Sequence, residues 1–326
     1  MIYTNRSDIS LEMAVALLHD EYDHIEADNY ISATALMKPL RHIILPNRIP
    51  PADRIIPDVE DLIASFLGTS LHSAIELAWS EGRHARALKL LGYPQDVIDR
   101  VLVNPTPEQL KAVLNPIPVY IEQRAFRNID GFTIGGKFDL VCEGRVTDTK
   151  STSVWTWIYG GKDEDYQLQG SIYRWLNLDK ITEEHIRINF IFTDWNKSDA
   201  LYKSSNGYPP LRMMHKDIAL MSLADTEAWI RAKLALIVKH YKTPEKELPE
   251  CTPEELWMSP PKFKYYSDPT KTAGRSTRNF DTLAEAQTFM AEKGKGTIVT
   301  ALGTPKRCDY CAAYPACTQK DKYFHD

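Results

Sequence analysis

Apolar and polar positions change rhythm along the chain. Over residues 11–19 and 59–79 the apolar positions recur at helical spacing. Val59, Leu62 and Phe66 share one face of the second run, as do Ile75 and Trp79 further on. Ser10 and Asp58 stand just before these runs as candidate N-caps. Residues 32–40 predict another short helix, and 46–57 a Pro-rich, Arg-containing connection. Residues 83–114 predict two or three shorter helices, bounded by Pro94, Pro105 and Pro116. The period then switches to two. Residues 118–128, 132–143 and 145–150 read as three strands, separated by Asp130-Gly131 and Glu143-Gly144 turn signals. Residues 163–178 read as a helix. Residues 185–195 read as a fourth strand, in which Ile186, Ile188, Phe190 and Phe192 alternate. A long helix is predicted over 223–241. Residues 262–302 predict two short strands, a helix over 282–293 and a strand over 297–302. The order helix, three strands, helix, strand predicts an α+β fold with a mixed sheet. The chain is expected to divide into a helical region over 1–117, a core over 118–245, and a small α/β appendage with a Cys-containing tail over 246–326. The appendage is expected to form one compact domain with the core.

Composition narrows the function classes. The 326 residues carry a net charge of −5, which excludes a globally basic binder but not an enzyme with a local basic groove. The longest apolar stretches, such as residues 13–18, fall far short of a bilayer span. Residues 1–10 are polar and lack the apolar region of a signal peptide, so a cytoplasmic protein is expected, in the host cytoplasm if phage-encoded. There is no G-x-x-x-x-G-K-[ST], hence no expected ATPase motor, and no H-E-x-x-H. Gly68-Thr69-Ser70-Leu71-His72 superficially resembles a nucleophile elbow but lacks the last Gly and lies mid-helix.

The informative stretch is Gly135-Gly136-Lys137-Phe138-Asp139-Leu140, followed by Asp148-Thr149-Lys150. Residues two apart in a strand face the same way, so Asp148 and Lys150 project together. Asp139, across a tight turn on the neighbouring strand, can reach the same pocket. Two convergent carboxylates suit Mg²⁺ or Mn²⁺, hard ions that take oxygen ligands and keep waters. A Lys beside them can orient or deprotonate an attacking water and offset charge on a phosphoryl transition state. Alone, Asp-x-Lys is also what a solvated charge pair on a surface strand looks like. Three further features add context: Glu122 on the preceding strand, His72 in the helix over 59–79, and Gln169 with Tyr173 one turn apart on the helix over 163–178.

Taken together, His72 in G-x-x-x-H-x-x-x-E, Glu122, Gly136 with Asp139, Asp148-x-Lys150 and Gln169-x-x-x-Tyr173 resemble the PD-(D/E)XK nuclease superfamily. Within it they resemble the RecB-like branch of AddB-type nucleases, CRISPR adaptation nucleases and phage exonucleases. The motifs occur in the family's order over residues 60 to 195. One departure is Phe138, where the first acidic motif often has Pro. The resemblance implies a restriction-endonuclease-like core flanked by helices. His72, Asp139 and Asp148 would be metal ligands, with the Thr149 carbonyl as a further oxygen. Lys150 would be the catalytic lysine, Glu122 would support the metal or its waters, and Gln169 and Tyr173 would position the lysine or the DNA backbone. The implied function is a Mg²⁺- or Mn²⁺-dependent DNA nuclease, an exonuclease of recombination, repair or phage DNA metabolism. DNA is the expected partner, alongside a helicase, recombinase or single-strand-binding protein. The alternative is a non-catalytic DNA-binding or assembly module on the same fold, with a structural metal tail.

Two further segments carry expectations. Cys308, Cys311 and Cys317 form C-x2-C-x5-C, a spacing similar to the C-terminal cysteines of the iron–sulfur RecB-like nucleases. No Cys precedes Cys142, and the family's N-terminal ligand position falls near His42. Three readings stay open: His42 as fourth ligand, which zinc accepts; recruitment of Cys251; or a tail that binds neither a 4Fe–4S cluster nor Zn²⁺. Lys262, Lys264, Lys271, Arg275 and Arg278 are interleaved with Phe263, Tyr265 and Tyr266. Such a segment can track a nucleic-acid backbone and stack bases, or it can be an edge hairpin whose aromatics pack inward.

Overall fold

The computed structural model describes residues 3–19, 25, 27–203 and 206–324. Its strands are β1 (Tyr30–Ser32), β2 (Val101–Val103), β3 (Ile117–Ile129), β4 (Phe132–Cys142), β5 (Arg145–Thr152), β6 (His185–Phe192), β7 (Met213–Ala219), β8 (Lys262–Tyr266), β9 (Arg278–Phe280) and β10 (Thr297–Ala301). The helices are α1 (Leu11–Leu18), α2 (Ala33–Leu36), α3 (Leu40–Ile44), α4 (Ile63–Trp79), α5 (Arg83–Leu90), α6 (Gln95–Ile98), α7 (Pro107–Ala112), α8 (Val154–Tyr159), α9 (Asp163–Leu176), α10 (Lys197–Tyr202), α11 (Leu223–His240) and α12 (Leu283–Lys293). No helix among the described residues is long and apolar enough to cross a membrane.

The chain divides into two units. The first comprises residues 1–37 and 56–235. Its centre is a seven-stranded mixed sheet of order β2-β3-β4-β5-β6-β7, with β1 also paired to β4. β3/β4, β4/β5 and β6/β7 are antiparallel, while β2/β3, β1/β4 and β5/β6 are parallel. The β3–β4 and β4–β5 turns are Asp130-Gly131 and Glu143-Gly144, all four residues with positive φ. Two successive positive-φ residues make the turn whose twist matches flanking strands, which is why Asp-Gly and Glu-Gly work there. The parallel β5/β6 pair is joined by a crossover through α8 and α9. α9 buries Tyr166, Gln169, Gly170, Ser171, Ile172, Tyr173 and Trp175. Ile186, Ile188, Phe190 and Phe192 are buried in strict alternation along β6. Ile134, Phe138, Val141 and Val146 of the neighbouring strands are buried as well.

α4 is positioned from its N-terminus. Asp58 forms a capping box with Asp61, and the first four residues, Val59–Leu62, wind as a 3₁₀ turn before the α-helix begins. Ala14 and Leu17 of α1 pack on Val59, with Leu62 and Phe66 beside them. No residue of α4 is fully buried; Phe66 packs on this small cluster, while Ile63, Leu67 and Leu77 are exposed.

The second unit comprises residues 38–55 and 236–326. It holds a three-stranded antiparallel sheet, β10-β8-β9, covered by α12. A run of 3₁₀ turns carries the cysteine tail.

Several expectations are corrected. The helix predicted over 32–40 is cut at Pro39, which caps a separate helix, α3. The segment over 83–114 contains β2 between its helices; a three-residue strand is too short to show a period. β7 was not expected. It is an edge strand with no buried residue, and its Met-Met-His-Lys-Asp sequence carries no apolar alternation. β6 ends at Phe192, three residues before the expected boundary.

Candidate active site

Three carboxylates occupy one row across three adjacent strands. The β3/β4 register pairs Ile121 with Leu140 and Gln123 with Phe138, which sets Glu122 opposite Asp139. That position is skipped in the pairing, and Glu122 has φ +50°, the left-handed region. The β4/β5 ladder has three pairs and ends at Leu140–Thr147. One position further along that register, Asp139 faces Asp148. β1 takes up the same edge of β4 at residues 133–135. The two neighbours of that edge therefore leave a gap at residues 136–139, and the site lies in it. A non-glycine residue at positive φ is uncommon and disfavoured by side-chain sterics. Here it sits in the row where the sheet opens.

α4 brings His72 to this row. Its Nδ1 lies 3.1 Å from Asp139 Oδ2. Donor atoms of His72, Glu122 and Asp139 all lie within 4.8 Å of one another. Glu122 thus stands inside the compact donor set. Lys137 Nζ lies 2.5 Å from Glu122 Oε2. Asp148 is 2% exposed, and Lys150 Nζ lies 3.0 and 2.8 Å from its two oxygens. Gln169 Nε2 donates to Asp148 Oδ1 at 3.4 Å and to Tyr173 Oη at 3.0 Å. Thr149, between Asp148 and Lys150, is buried.

The electrostatics follow from burial and crowding. Burial pushes the Asp148 carboxyl up to about 6, against the pull of Lys150 and with the Asp139 charge adding to the rise. The Asp139 carboxylate 3.1 Å away raises His72 above its ordinary value, with burial opposing. The site therefore holds protons where a free carboxylate and imidazole would have lost them.

The donor set fits a hard divalent cation. Among the described residues, four buried side-chain polar atoms accept or donate no hydrogen bond, and Asp139 Oδ2 and Asp148 Oδ2 are two of them. Their cationic neighbours are close but not aligned as hydrogen-bond donors. Buried oxygens without an aligned donor are rare, and their lone pairs are available to a metal ion. Oxygen donors with a neutral imidazole suit Mg²⁺ or Mn²⁺.

Glycines let α9 come down on the sheet. A Cβ at Gly136 would lie 2.7 Å from Leu176 Cδ1 and 3.2 Å from the Tyr173 ring. At Gly170 it would lie 2.9 Å from Ile186 Cβ. These approaches hold Gln169 and Tyr173 against the row. Sequence reasoning missed Tyr166, which is buried and whose hydroxyl is raised by burial and then by the Asp148 charge. Its spacing to Gln169 and Tyr173 on α9 is the signal that was there to use. It also missed Lys137, whose pairing with Glu122 depends on a register no single sequence shows.

The other candidate residues lie in the second unit. Cys308, Cys311, Cys317 and His42 line one cavity, together with Cys251 and Arg41. His42 Nε2 lies 3.1 Å from Cys311 Sγ. Burial, with the cations Arg307 and Lys38, pushes this imidazole down to about 4. Burial pushes Cys308 up to about 11 and Cys251 up to about 12. Soft sulfur donors gathered around one cavity match the preference of zinc or an iron–sulfur cluster. In the basic segment, Tyr265 and Tyr266 are buried, and Tyr265 packs edge-on against Phe289. Lys262 pairs with Asp281, Lys271 lies 3.5 Å from Asp268, and Arg278 stacks over Phe280 and Phe289. Lys264 pairs in register with Asn279 and Val299, and Arg275 lies in the β8–β9 connection.

No family model matches the chain, and no curated protein matches it in sequence. Among solved structures, that of SSO0001 is similar over 70% of this chain and 87% of its own, at 15% identity and a TM-score of 0.42. A phage-related exonuclease from Haemophilus somnus 129PT is similar over 52% of this chain and 83% of its own, at 15% identity and a TM-score of 0.27.

Proposed function

We propose that this chain is a Mg²⁺- or Mn²⁺-dependent DNA nuclease of the PD-(D/E)XK type, acting as an exonuclease in DNA recombination, repair or phage DNA metabolism. The observation that carries the reading is the convergence of the Asp139, Asp148 and Glu122 carboxylates with His72 and Lys150 at the gap in the sheet. A binding module has no need of a row of carboxylates at a sheet gap, whose mutual repulsion opposes folding unless cations neutralise it.

His72, Glu122, Asp139 and Asp148 would hold the cation. Bound there, it supplies Lewis acidity, polarising a phosphoryl oxygen and acidifying water. Lys150 is held by Asp148, so its ammonium stays at the row rather than in solvent. From there it orients the attacking water and offsets the charge that develops on the phosphoryl oxygens. Gln169 fixes the Asp148 carboxylate and is itself fixed by Tyr173, so the acid and its lysine keep one geometry. DNA is the substrate partner in this reading, and a helicase, recombinase or single-strand-binding protein would deliver it.

The test is hydrolysis of end-labelled single- and double-stranded DNA with Mg²⁺, Mn²⁺ or EDTA. Metal-dependent release of mononucleotides or short products from an end supports the reading. Internal cutting without end dependence would keep the nuclease and remove the exonuclease. DNA binding without cutting under every metal would favour the assembly module.

A further inference from the structure

The carboxylate chemistry makes no use of the tail cysteines, so their role stands or falls independently of nuclease activity. Four of the five cysteines line one cavity in the second unit: Cys251, Cys308, Cys311 and Cys317. The fifth, Cys142, lies on β4 in the first unit.

Cys251 is tied to the tail by its backbone. Its N–H donates to Gln319 Oε1 at 2.9 Å, and Gln319 Nε2 donates to its carbonyl at 2.9 Å. Gln319 is 4% exposed and lies two residues beyond Cys317. This pair of hydrogen bonds from one side-chain amide to one residue's backbone fixes the spacing between Cys251 and the turn that carries Cys317. Arg41 works from the other side. It is 3% exposed, places Nη1 3.4 Å from Cys317 Sγ and pairs with Glu245. Glu245 in turn accepts from the Thr318 N–H at 2.9 Å. A buried guanidinium there can donate a charge-assisted hydrogen bond to the sulfur. His42 places its Nε2 3.1 Å from Cys311 Sγ.

We infer that Cys251, Cys308, Cys311 and Cys317 are the four thiolate ligands of a single metal centre, with Arg41 and His42 as hydrogen-bond donors to Cys317 and Cys311 rather than as ligands. Outer groups of this kind orient metal ligands and tune their charge. The spacing of the sulfurs selects the kind of centre. One tetrahedral zinc with bonds of about 2.3 Å brings its sulfurs to about 3.8 Å of one another. Among the described residues, no three of these cysteine and histidine donor atoms lie within 4.8 Å of one another. The wider set suits an iron–sulfur cluster, in which each thiolate takes a different iron. The role is structural: the centre joins the Cys251 loop to the C-terminal turns.

The test uses the full chain purified without oxygen, with iron, acid-labile sulfide and zinc counted per chain. Wild type, His42→Gln and Cys142→Ser should carry about four irons with matching sulfide. Cys251→Ser should lose most of both and the visible absorption with them. Iron retained at the wild-type level in Cys251→Ser would overturn the assignment. So would loss in His42→Gln equal to that in Cys251→Ser, one zinc per chain in place of iron, or no metal in wild type. A second measurement avoids variants, in case Cys251→Ser does not fold. Wild-type protein is alkylated before and after reductive removal of iron by dithionite with EDTA, which leaves the freed thiols reduced. Cys251 should become reactive in step with Cys308, Cys311 and Cys317. A Cys251 whose labelling does not change while the other three open would contradict the proposal.

Discussion

Asp139 and Asp148 face each other one register position beyond the last β4–β5 pair, Leu140–Thr147. The sheet stops pairing where the two acids meet. On the other side of β4, the position of Glu122 opposite Asp139 is also skipped. Two like charges in a row discourage a continuous ladder, and an open ladder leaves room for a cation and a phosphate. Sheet topology and site chemistry are thus one feature.

Burial of Asp148 gives the first prediction. Its carboxyl is raised to about 6, above its ordinary value. A raised acid destabilises the folded protein above the folded pKa: between the unfolded and folded values the folded state keeps a proton that the unfolded state has released, so stability falls with pH until both are ionised. Metal-free Asp148→Asn should therefore be at least as stable as wild type at pH 8. The advantage should shrink as pH falls through 6 and vanish near 4. Thermal unfolding in EDTA across that range reads it. The same variant should lose metal-dependent DNA cutting.

Glu122 makes the second case. Its left-handed backbone favours glycine by about 1 kcal/mol. Glu122→Gly should raise or preserve the unfolding midpoint while raising the Mg²⁺ concentration for half-maximal activity. A lower midpoint with unchanged metal dependence would mean that the residue serves packing alone.

Gly170 gives the third. A Cβ there meets Ile186 Cβ at 2.9 Å, so Gly170→Ala must push α9 away from β6. Overpacking of this kind destabilises by about 1–3 kcal/mol. Gln169 moves with the helix, so the folded fraction should also cut DNA more slowly. Denaturant unfolding and a single-turnover assay together separate the two effects.

Much of this was legible in the sequence, and the failures have physical causes. The period-two run Ile186, Ile188, Phe190 and Phe192 announced β6 because every second side chain enters the apolar layer. The Asp130-Gly131 and Glu143-Gly144 turns announced the hairpins, since few residues tolerate two positive φ angles. β7 stayed hidden because an edge strand buries nothing. For the site, Asp148-x-Lys150 and Gln169-x-x-x-Tyr173 could be placed by local periodicity. The entry of Glu122 into the donor set could not, because it depends on the β3/β4 register and a single backbone angle. The approach of Cys251 to the tail rests on the Gln319 bonds, which no local pattern encodes.

Asp58 supplies a pH prediction away from the site. Thr4 Oγ1, the Arg6 and Glu60 N–H groups and the Arg6 guanidinium all donate to it. The Thr4 bond leads in holding its carboxyl well below the usual range. A depressed carboxyl stabilises the folded state above its ordinary pKa and loses that contribution as pH falls through the folded value. Asp58→Asn should lower the unfolding midpoint at pH 7, and the gap to wild type should close on acidification towards pH 2. A gap that stays constant would show that the charge is not what matters.

The most direct measurement is the single-turnover rate of DNA hydrolysis with Mg²⁺ by wild type and Lys150→Ala, with DNA affinity measured on the same samples. Lys150→Ala should lose about two to three orders of magnitude in rate, the scale of removing one preorganised charge, with affinity nearly unchanged. Equal rates for the two proteins, or a loss fully explained by weaker binding, would contradict the catalytic role of Lys150.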